Sequence, residues 1–206
     1  MKKKKIGVII GIIVFMAFFA SLYFDEILIK GASLLRNNLL NNFFLVVTLA
    51  SSTILIFFIL TSLLLWEDRK RRWIFPLWLT LGFSSFIGLI LKVIIQRARP
   101  FQLGLVSLLP NLQKASHYVW NFSFPSSHAI LAFCALPILS KEFPKLKWVW
   151  IGFAILIAFS RVYFGVHFVS DVIAGGLIGY VTGMLIVKLE EDNQFGKRVY
   201  EKIFKR

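Results

Sequence analysis

The chain has little charge and a single cysteine. Asp, Glu, Lys and Arg together make up 17% of its 206 residues, whereas 58% are hydrophobic and the mean hydropathy is +0.76. This composition excludes an ordinary soluble fold and predicts one integral-membrane domain over residues 1–206. Because Cys134 is alone, a disulfide framework and a cysteine-based metal site are also excluded. We expect Cys134 to fill an apolar core position.

Long apolar runs recur along the chain, most of them near the length of about 20 residues that a helix needs to cross a bilayer. They predict an all-α fold, a polytopic membrane bundle with six transmembrane helices. The fourth run is short, and we expect it to begin in a loop folded back toward the membrane. The six runs cover residues 6–24, 39–66, 73–95, 126–140, 148–166 and 170–189.

Acidic residues are scarce, with 10 Asp and Glu against 24 Lys and Arg, and the net charge is +14. The basic residues are divided among short loops instead of forming one face, so we expect contact with anionic lipid and no nucleic-acid partner. When successive loops are assigned to alternate sides of the membrane, most of the basic residues lie on one side. Because basic loops remain in the cytoplasm, this asymmetry predicts that both termini are cytoplasmic. That side receives positions 2–5, 69–72, 141, 145, 147 and 188–206, and the other receives Lys30, Arg36 and Lys114.

Three segments allow more than one interpretation. The lysines at 2–5 and the apolar stretch after them resemble a signal peptide, but we expect this stretch to be retained as the first span. Residues 25–38 mix apolar and charged positions, which favours a helix along the membrane surface; a plain loop is the alternative. Residues 101–124 form a largely apolar outer segment that caps the site, touches lipid or packs against neighbouring helices. His117, within it, is interpreted as an ordinary loop residue.

Three short motifs place obligate cations, histidines and one carboxylate in this apolar chain. Buried charge is costly unless it is paired or bound, and a phosphate group would satisfy all of these side chains. Pro125 and the serines after it are typical of a helix start, where free amides favour an anion. The motifs are Lys92-x6-Arg99-Pro100, Pro125-Ser126-Ser127-His128 and Ser160-Arg161-x5-His167-x3-Asp171.

In this order the motifs resemble the signature of the type 2 phosphatidic acid phosphatase superfamily, which comprises integral-membrane lipid phosphatases and soluble vanadium haloperoxidases. The resemblance implies that His167 is the nucleophile, Asp171 orients it and His128 protonates the leaving oxygen. A phosphohistidine intermediate would follow, then hydrolysis by water. The resemblance also implies a phosphate site formed by Lys92, Arg99, Ser126, the backbone of Ser127 and Arg161.

This chain departs from the commoner family pattern at Ser127, where Gly is usual, which puts the exact loop geometry in question. Arg97 lies outside the fixed positions; it adds positive field to the site or, as we prefer, meets lipid phosphate. Alternatives for Lys92 and Arg99 are extension to lipid headgroups, and for His167 and Asp171 a buried polar pair. No metal and no cofactor are required, because the cations supply the electrostatic role of a metal and the chain shows no carboxylate cluster suited to Mg²⁺.

The function predicted from these residues is a metal-independent phosphatase in the cell membrane. It would act at the extracytoplasmic face on a phosphorylated lipid drawn from the bilayer. Polyprenyl pyrophosphate is the favoured substrate, partly because Arg97 adds charge, and phosphatidylglycerol phosphate or phosphatidic acid is the alternative. Two other functions are weighed: vanadate-dependent halide oxidation, and a non-catalytic lipid-binding or transport role.

Overall fold

A computed structural model describes residues 2–108 and 122–204 of the chain. Lys114 and His117 lie outside the described residues. Within them the fold is helical and contains no strand, which confirms the all-α prediction. Short 3₁₀ turns occupy Asp68–Trp73 and Pro144–Leu146. The α-helices are α1 (Lys2–Leu34), α2 (Asn38–Ala50), α3 (Thr53–Leu65), α4 (Ile74–Ile95), α5 (Ser127–Cys134), α6 (Leu136–Glu142), α7 (Lys147–Tyr163), α8 (Val169–Asn193) and α9 (Phe195–Phe204).

Four helical stretches of the described chain are long and apolar enough to cross a membrane: Gly11–Leu34, Asp68–Ile95, Pro144–Tyr163 and Val169–Asn193. Helices α2 and α3 together make a fifth candidate, so the predicted six spans are not confirmed. The predicted fourth span consists of the short helices α5 and α6. Pro137 near the start of α6 explains the break, because proline cannot donate the backbone hydrogen bond that would continue α5.

Helix α1 is longer than the sequence predicted. It continues to Leu34, so the expected surface helix or loop at residues 25–38 is wrong for most of its length. Asp25, Ile29 and Ala32 recur on one helical face and are all buried, which keeps this part of α1 packed against the bundle. The polar residue on this face, Asp25, is therefore inside the protein.

The predicted second span is divided into α2 and α3, which are bent by 64° relative to each other. Two serines lie at the bend and bond to the backbone there: the Ser51 hydroxyl donates to the Thr48 carbonyl, and the Ser52 hydroxyl accepts from the Leu55 amide. These local bonds replace helical ones, which accounts for the break.

Helix α5 packs closely against α8 because three glycines line the contact. A Cβ atom at Gly175, Gly179 or Gly183 would lie 2.6, 2.3 or 2.2 Å from a backbone carbonyl oxygen of the α5 region. A spacing of four residues puts the glycines on one face of α8, the small-residue pattern that lets helix backbones approach. This contact brings the start of α5 beside the start of α8, where the second and third motifs lie. Cys134 is fully buried, as predicted.

Candidate active site

The first motif ends α4 and turns its cations into the bundle. Gln96 ends the helix in the left-handed conformation, with φ 49°. The Nζ atom of Lys92 donates to the carbonyl of Phe122 at 2.7 Å, and Nη2 of Arg99 approaches the same oxygen at 3.4 Å. Nη1 of Arg99 donates to the Val166 carbonyl at 2.9 Å. Both side chains therefore meet in the interior, which is not the extension to lipid headgroups considered as an alternative.

The second motif lies at the start of α5. Ser126 is the N-cap residue, and its amide donates to the Asp171 carbonyl at 3.1 Å, so this N–H is occupied within the protein. Its hydroxyl oxygen is buried and has no hydrogen-bond partner among the described residues. Ser127 is the first helical residue, so its backbone does not need the conformational freedom of the Gly that is usual there. His128 is half-buried.

The third motif forms the turn between α7 and α8. Arg161 lies in the last turn of α7, and its carbonyl accepts from the amides of Val166 and His167, which tightens the turn. Gly165 lies within the turn at φ +71°, a conformation that glycine adopts without strain. The guanidinium of Arg161 is buried, and its Nε has no hydrogen-bond partner in the described part of the chain.

His167 and Asp171 meet, although not on one helical face. Helix α8 begins at Val169, after His167, and the Asp171 carboxylate reaches back across the first turn. Its Oδ2 atom accepts from the Phe168 amide at 2.8 Å and lies 3.5 Å from Nδ1 of His167. Nε2 of His167 faces the other way and lies 3.3 Å from Nη1 of Arg99. This arrangement favours a proton on Nδ1 and leaves the Nε2 lone pair toward the cations.

Ser123 is a site residue that the sequence analysis missed. Its hydroxyl donates to Oδ2 of Asp171 and lies 3.4 Å from Nδ1 of His167. The side chain is fully buried. A serine just before the second motif carries no signal of this contact, because the contact depends on how the loop before α5 packs against α8.

The contacts of Arg97 differ from both interpretations made from the sequence. Its Nη1 atom donates to Oδ1 of Asp171 at 2.8 Å and to the Ser170 hydroxyl at 2.7 Å. Nη2 donates to Oδ2 of Asp25 at 2.8 Å, and the guanidinium lies 4.0 Å from the centre of the Phe168 ring. These contacts turn Arg97 toward protein carboxylates and away from both partners expected from the sequence, a lipid phosphate and the predicted phosphate site.

The described residues of the site carry more positive than negative charge. Its four cations face two carboxylates, and both carboxylates bond to Arg97. Lys92, Arg99 and Arg161 all act electrostatically on His128 and on His167. Burial, followed by these cations, holds the pKa of His167 well below its ordinary value. The imidazole is therefore neutral at neutral pH, and an anion would compensate the surrounding positive charge.

The beginning of the segment at residues 101–124 packs on the turn that carries His167. Val106 is buried against Gly165. Phe101 and Leu108 pack against a buried cluster formed by Phe44, Tyr163, Phe164 and Val166. For residues 101–108 this agrees with the packing interpretation; residues 109–121 lie outside the described part. Among the described residues, no group of three or more His, Cys, Asp or Glu side chains could hold a metal ion.

A family model for the PAP2 superfamily matches residues 73–195. Phosphatidylglycerophosphatase B of Bacillus subtilis (strain 168) is 32% identical over 124 residues, which are 55% of this chain and 56% of the relative. Undecaprenyl-diphosphatase of Sulfolobus acidocaldarius is 31% identical over 137 residues, which are 65% of this chain and 63% of the relative. The chain thus spans more than half but less than two thirds of the length of these curated relatives.

A solved structure is similar over more of the chain. The crystal structure of a transmembrane PAP2-type phosphatidylglycerolphosphate phosphatase from Bacillus subtilis superposes with a TM-score of 0.69 at 26% sequence identity. The superposition covers 88% of this chain and 96% of that protein. With the apolar helices described above, this likeness supports a multi-pass membrane protein.

Proposed function

Because the chain belongs to the PAP2 superfamily, as its three motifs predicted, we propose that it is a membrane lipid phosphatase with His167 as its nucleophile. One observation carries the proposal: a buried imidazole whose Nδ1 lies 3.5 Å from Asp171 and whose Nε2 lies 3.3 Å from Arg99. A base held on one side by a carboxylate and open on the other toward cations suits attack on a phosphate.

The substrate phosphate would bind where the site lacks negative charge. Lys92, Arg99 and Arg161 would surround its oxygens. The hydroxyl of Ser126, which has no partner among the described residues, would donate to one of them. In the structure Lys92 and Arg99 donate to main-chain carbonyls. Because a hydrogen bond to an anion is stronger, both side chains would turn toward a bound phosphate. This charge compensation would be greatest as negative charge spreads over the oxygens in the transition state.

The reaction would proceed in two displacements. Nε2 of His167 attacks phosphorus and the bond to the lipid oxygen breaks. That oxygen takes a proton from the imidazolium form of His128, which the bound phosphate favours because it offsets the surrounding cations. His167 then carries the phosphoryl group while Asp171 accepts the hydrogen bond from Nδ1. A water molecule attacks the phosphohistidine, gives its proton to His128 and releases phosphate and neutral His167. These roles require no metal ion.

The structure weakens the preference for polyprenyl pyrophosphate. That preference depended partly on Arg97, whose charge is compensated by Asp25 and Asp171. Three cations remain, enough to surround one phosphate group. We propose that the site recognises a single terminal phosphate, so that a lipid phosphomonoester and an isoprenoid pyrophosphate are both substrates.

We place the site at the extracytoplasmic face and both termini in the cytoplasm. The basic segments of the predicted cytoplasmic side meet at one end of the bundle: Arg72 pairs with Glu142 at 3.6 Å, and Lys141 pairs with Glu191. The motifs lie at the opposite ends of α4, α7 and α8. This separation of charge supports the orientation, because basic loops stay in the cytoplasm.

The test is phosphate release from detergent-dispersed lipids by the wild type and by His167→Ala. We expect the variant to lose at least about 10³-fold in kcat while keeping its thermal unfolding midpoint. Rapid acid-free quenching of the wild type should trap phosphate on His167, vanadate should inhibit and EDTA should not. Turnover in the variant would refute the assignment. Lipid binding without phosphate release would favour a non-catalytic role, and halide oxidation with vanadate and peroxide would favour a haloperoxidase.

A further inference from the structure

Asp25 brings a second carboxylate to the site from a part of the chain outside the matched residues 73–195. The side chain is buried although it lies on the long helix α1, and only 3% of the residue is exposed. Its Oδ1 atom accepts from the Ser170 amide at 3.0 Å, and Oδ2 accepts from the Ser170 hydroxyl and, at 2.8 Å, from Arg97. A carboxylate this buried needs such partners, since an unpaired charge there would be strongly destabilising.

Arg97 connects Asp25 to the carboxylate beside the nucleophile. One guanidinium nitrogen bonds to Asp25 and the other bonds to Oδ1 of Asp171 at 2.8 Å. With Oδ1 held in this way, Oδ2 is the oxygen left for Ser123, Phe168 and His167. The contacts form a continuous series from Asp25 through Arg97 and Asp171 to His167.

On the basis of the proposed phosphatase function, we propose that Asp25 and Arg97 are positioning residues for phosphoryl transfer. Together they hold the Asp171 carboxylate so that Oδ2 faces Nδ1 of His167. Arg97 also reduces the negative charge that His167 experiences from Asp171, and Asp25 offsets that reduction. The planar guanidinium suits this role because it bonds to two carboxylates in a fixed geometry, which a lysine cannot do.

The two charges should act on His167 in opposite directions. The charged and titratable groups that face its ring are Arg99 and Lys92 of the first motif, Arg161 of α7, His128 of α5 and Asp171 of α8. Against this unchanged background, Asp25→Asn removes a negative charge and should lower the pH at which His167 titrates. Arg97→Gln removes a positive charge and should raise it. A merely structural role would not produce opposite shifts.

Kinetic measurements form the first part of the test. Asp25→Asn and Arg97→Gln should each lower kcat roughly 10- to 100-fold while KM changes less than about threefold, as when other groups that orient a reactive residue are removed. Arg97→Lys should restore little of the kcat that Arg97→Gln loses, because lysine cannot bond to both carboxylates in a fixed geometry. The matched control is Glu26→Gln. Glu26 is the next carboxylate on α1, but its side chain is 68% exposed and pairs with Lys30 at 3.9 Å. This control should retain wild-type activity.

Titration of His167 by ¹⁵N NMR is the second part, and it does not depend on turnover. The chain has three histidines, so His167→Gln identifies the signal. Opposite shifts in Asp25→Asn and Arg97→Gln, with none in Glu26→Gln, would support the positioning role. If Asp25→Asn does not fold, Arg97→Gln and Ser170→Ala complete the test. Ser170→Ala removes the hydroxyl that accepts from Arg97 and donates to Asp25 without changing charge, so it should not shift the titration.

The two proposals fail in different ways. Wild-type protein that hydrolyses no lipid phosphate but shows the opposite NMR shifts would refute the phosphatase function and keep the positioning of His167. Active wild-type protein in which Asp25→Asn and Arg97→Gln behave like Glu26→Gln would refute the positioning role alone.

Discussion

Nε2 of His167 lies 3.3 Å from Nη1 of Arg99, on the side of the ring away from Asp171. Burial and the nearby cations hold the pKa of His167 well below its ordinary value, so the proposed nucleophile is neutral over a wide range of pH. The neutral form is lost only as the pH falls through this lowered pKa. We therefore expect kcat/KM to show no loss due to His167 until the pH is below about 6.5, the ordinary histidine value.

Lys92→Gln provides the comparison for this pH dependence. It removes one of the cations that lower the pKa of His167, so the acid-side loss of kcat/KM should move to higher pH in this variant. The same lipid is used for both proteins, and protonation of the substrate therefore cancels from the comparison. A profile identical to that of the wild type would contradict the influence of Lys92 on His167.

His128 is expected to matter most when the leaving oxygen needs a proton. In His128→Ala, lipids with a poorly leaving alkoxide should lose roughly 10²- to 10⁴-fold in the rate of phosphohistidine formation. An aryl phosphate, whose leaving group departs without protonation, should lose much less. Single-turnover measurements on the two substrates test this difference, and equal losses would assign His128 to phosphate binding instead of proton transfer.

Arg97→Ala should affect two lipid classes equally. Arg97 bonds to Asp25 and Asp171, so we expect its removal to disturb the proposed nucleophile and not a second phosphate site. We expect the ratio of kcat/KM for an isoprenoid pyrophosphate and phosphatidylglycerol phosphate in matched micelles to stay within about threefold of wild type while both values fall. A selective loss of pyrophosphate turnover would restore the interpretation of Arg97 as a substrate contact.

The sequence predicted the site residues whose charge is unusual for their apolar surroundings. Lys92, Arg99 and Arg161 are cations in apolar surroundings, and the structure brings all three near His128 and His167. Asp25 and Ser123 were missed because their contacts depend on packing between distant segments; Asp25 meets Ser170 across 145 positions of the chain. No local spacing reports such a contact.

Some helix boundaries could be predicted from the sequence and others could not. Helices α4, α7 and α8 begin and end near the predicted limits, since long apolar runs determine them. The bend between α2 and α3 was missed because it depends on Ser51 and Ser52 bonding to the backbone, which hydropathy does not detect. The length of α1 was missed because residues beyond Phe24 look polar in sequence, although Asp25 is satisfied inside the bundle.

Orientation can be tested with two exposed positions, Leu103 in the segment after Arg99 and Lys145 before α7. Each is changed to cysteine in a Cys134→Ala background and treated with a membrane-impermeant maleimide in intact cells. The basic-loop asymmetry leads us to expect labelling of Leu103→Cys alone, with both labelled after permeabilisation. Labelling of Lys145→Cys alone in intact cells would place the site at the cytoplasmic face.

Gly179→Ala should loosen the contact that brings the second and third motifs together. Its new Cβ would lie 2.3 Å from the carbonyl oxygen of Ile130, and a backbone atom inside a helix cannot move away without shifting α5. We expect a loss of about 1–3 kcal/mol in stability, seen as a lower thermal unfolding midpoint in detergent, together with reduced phosphatase activity.

The control is Gly82→Ala in α4, where a Cβ would meet nothing within 4 Å. Alanine is the better helix former by up to about 1 kcal/mol, so this variant should be neutral or slightly stabilised and fully active. Because both changes add one methyl group to a helical glycine, the difference between them isolates the contact between α5 and α8. Equal unfolding midpoints and equal activities would show that this contact does not need a glycine at position 179.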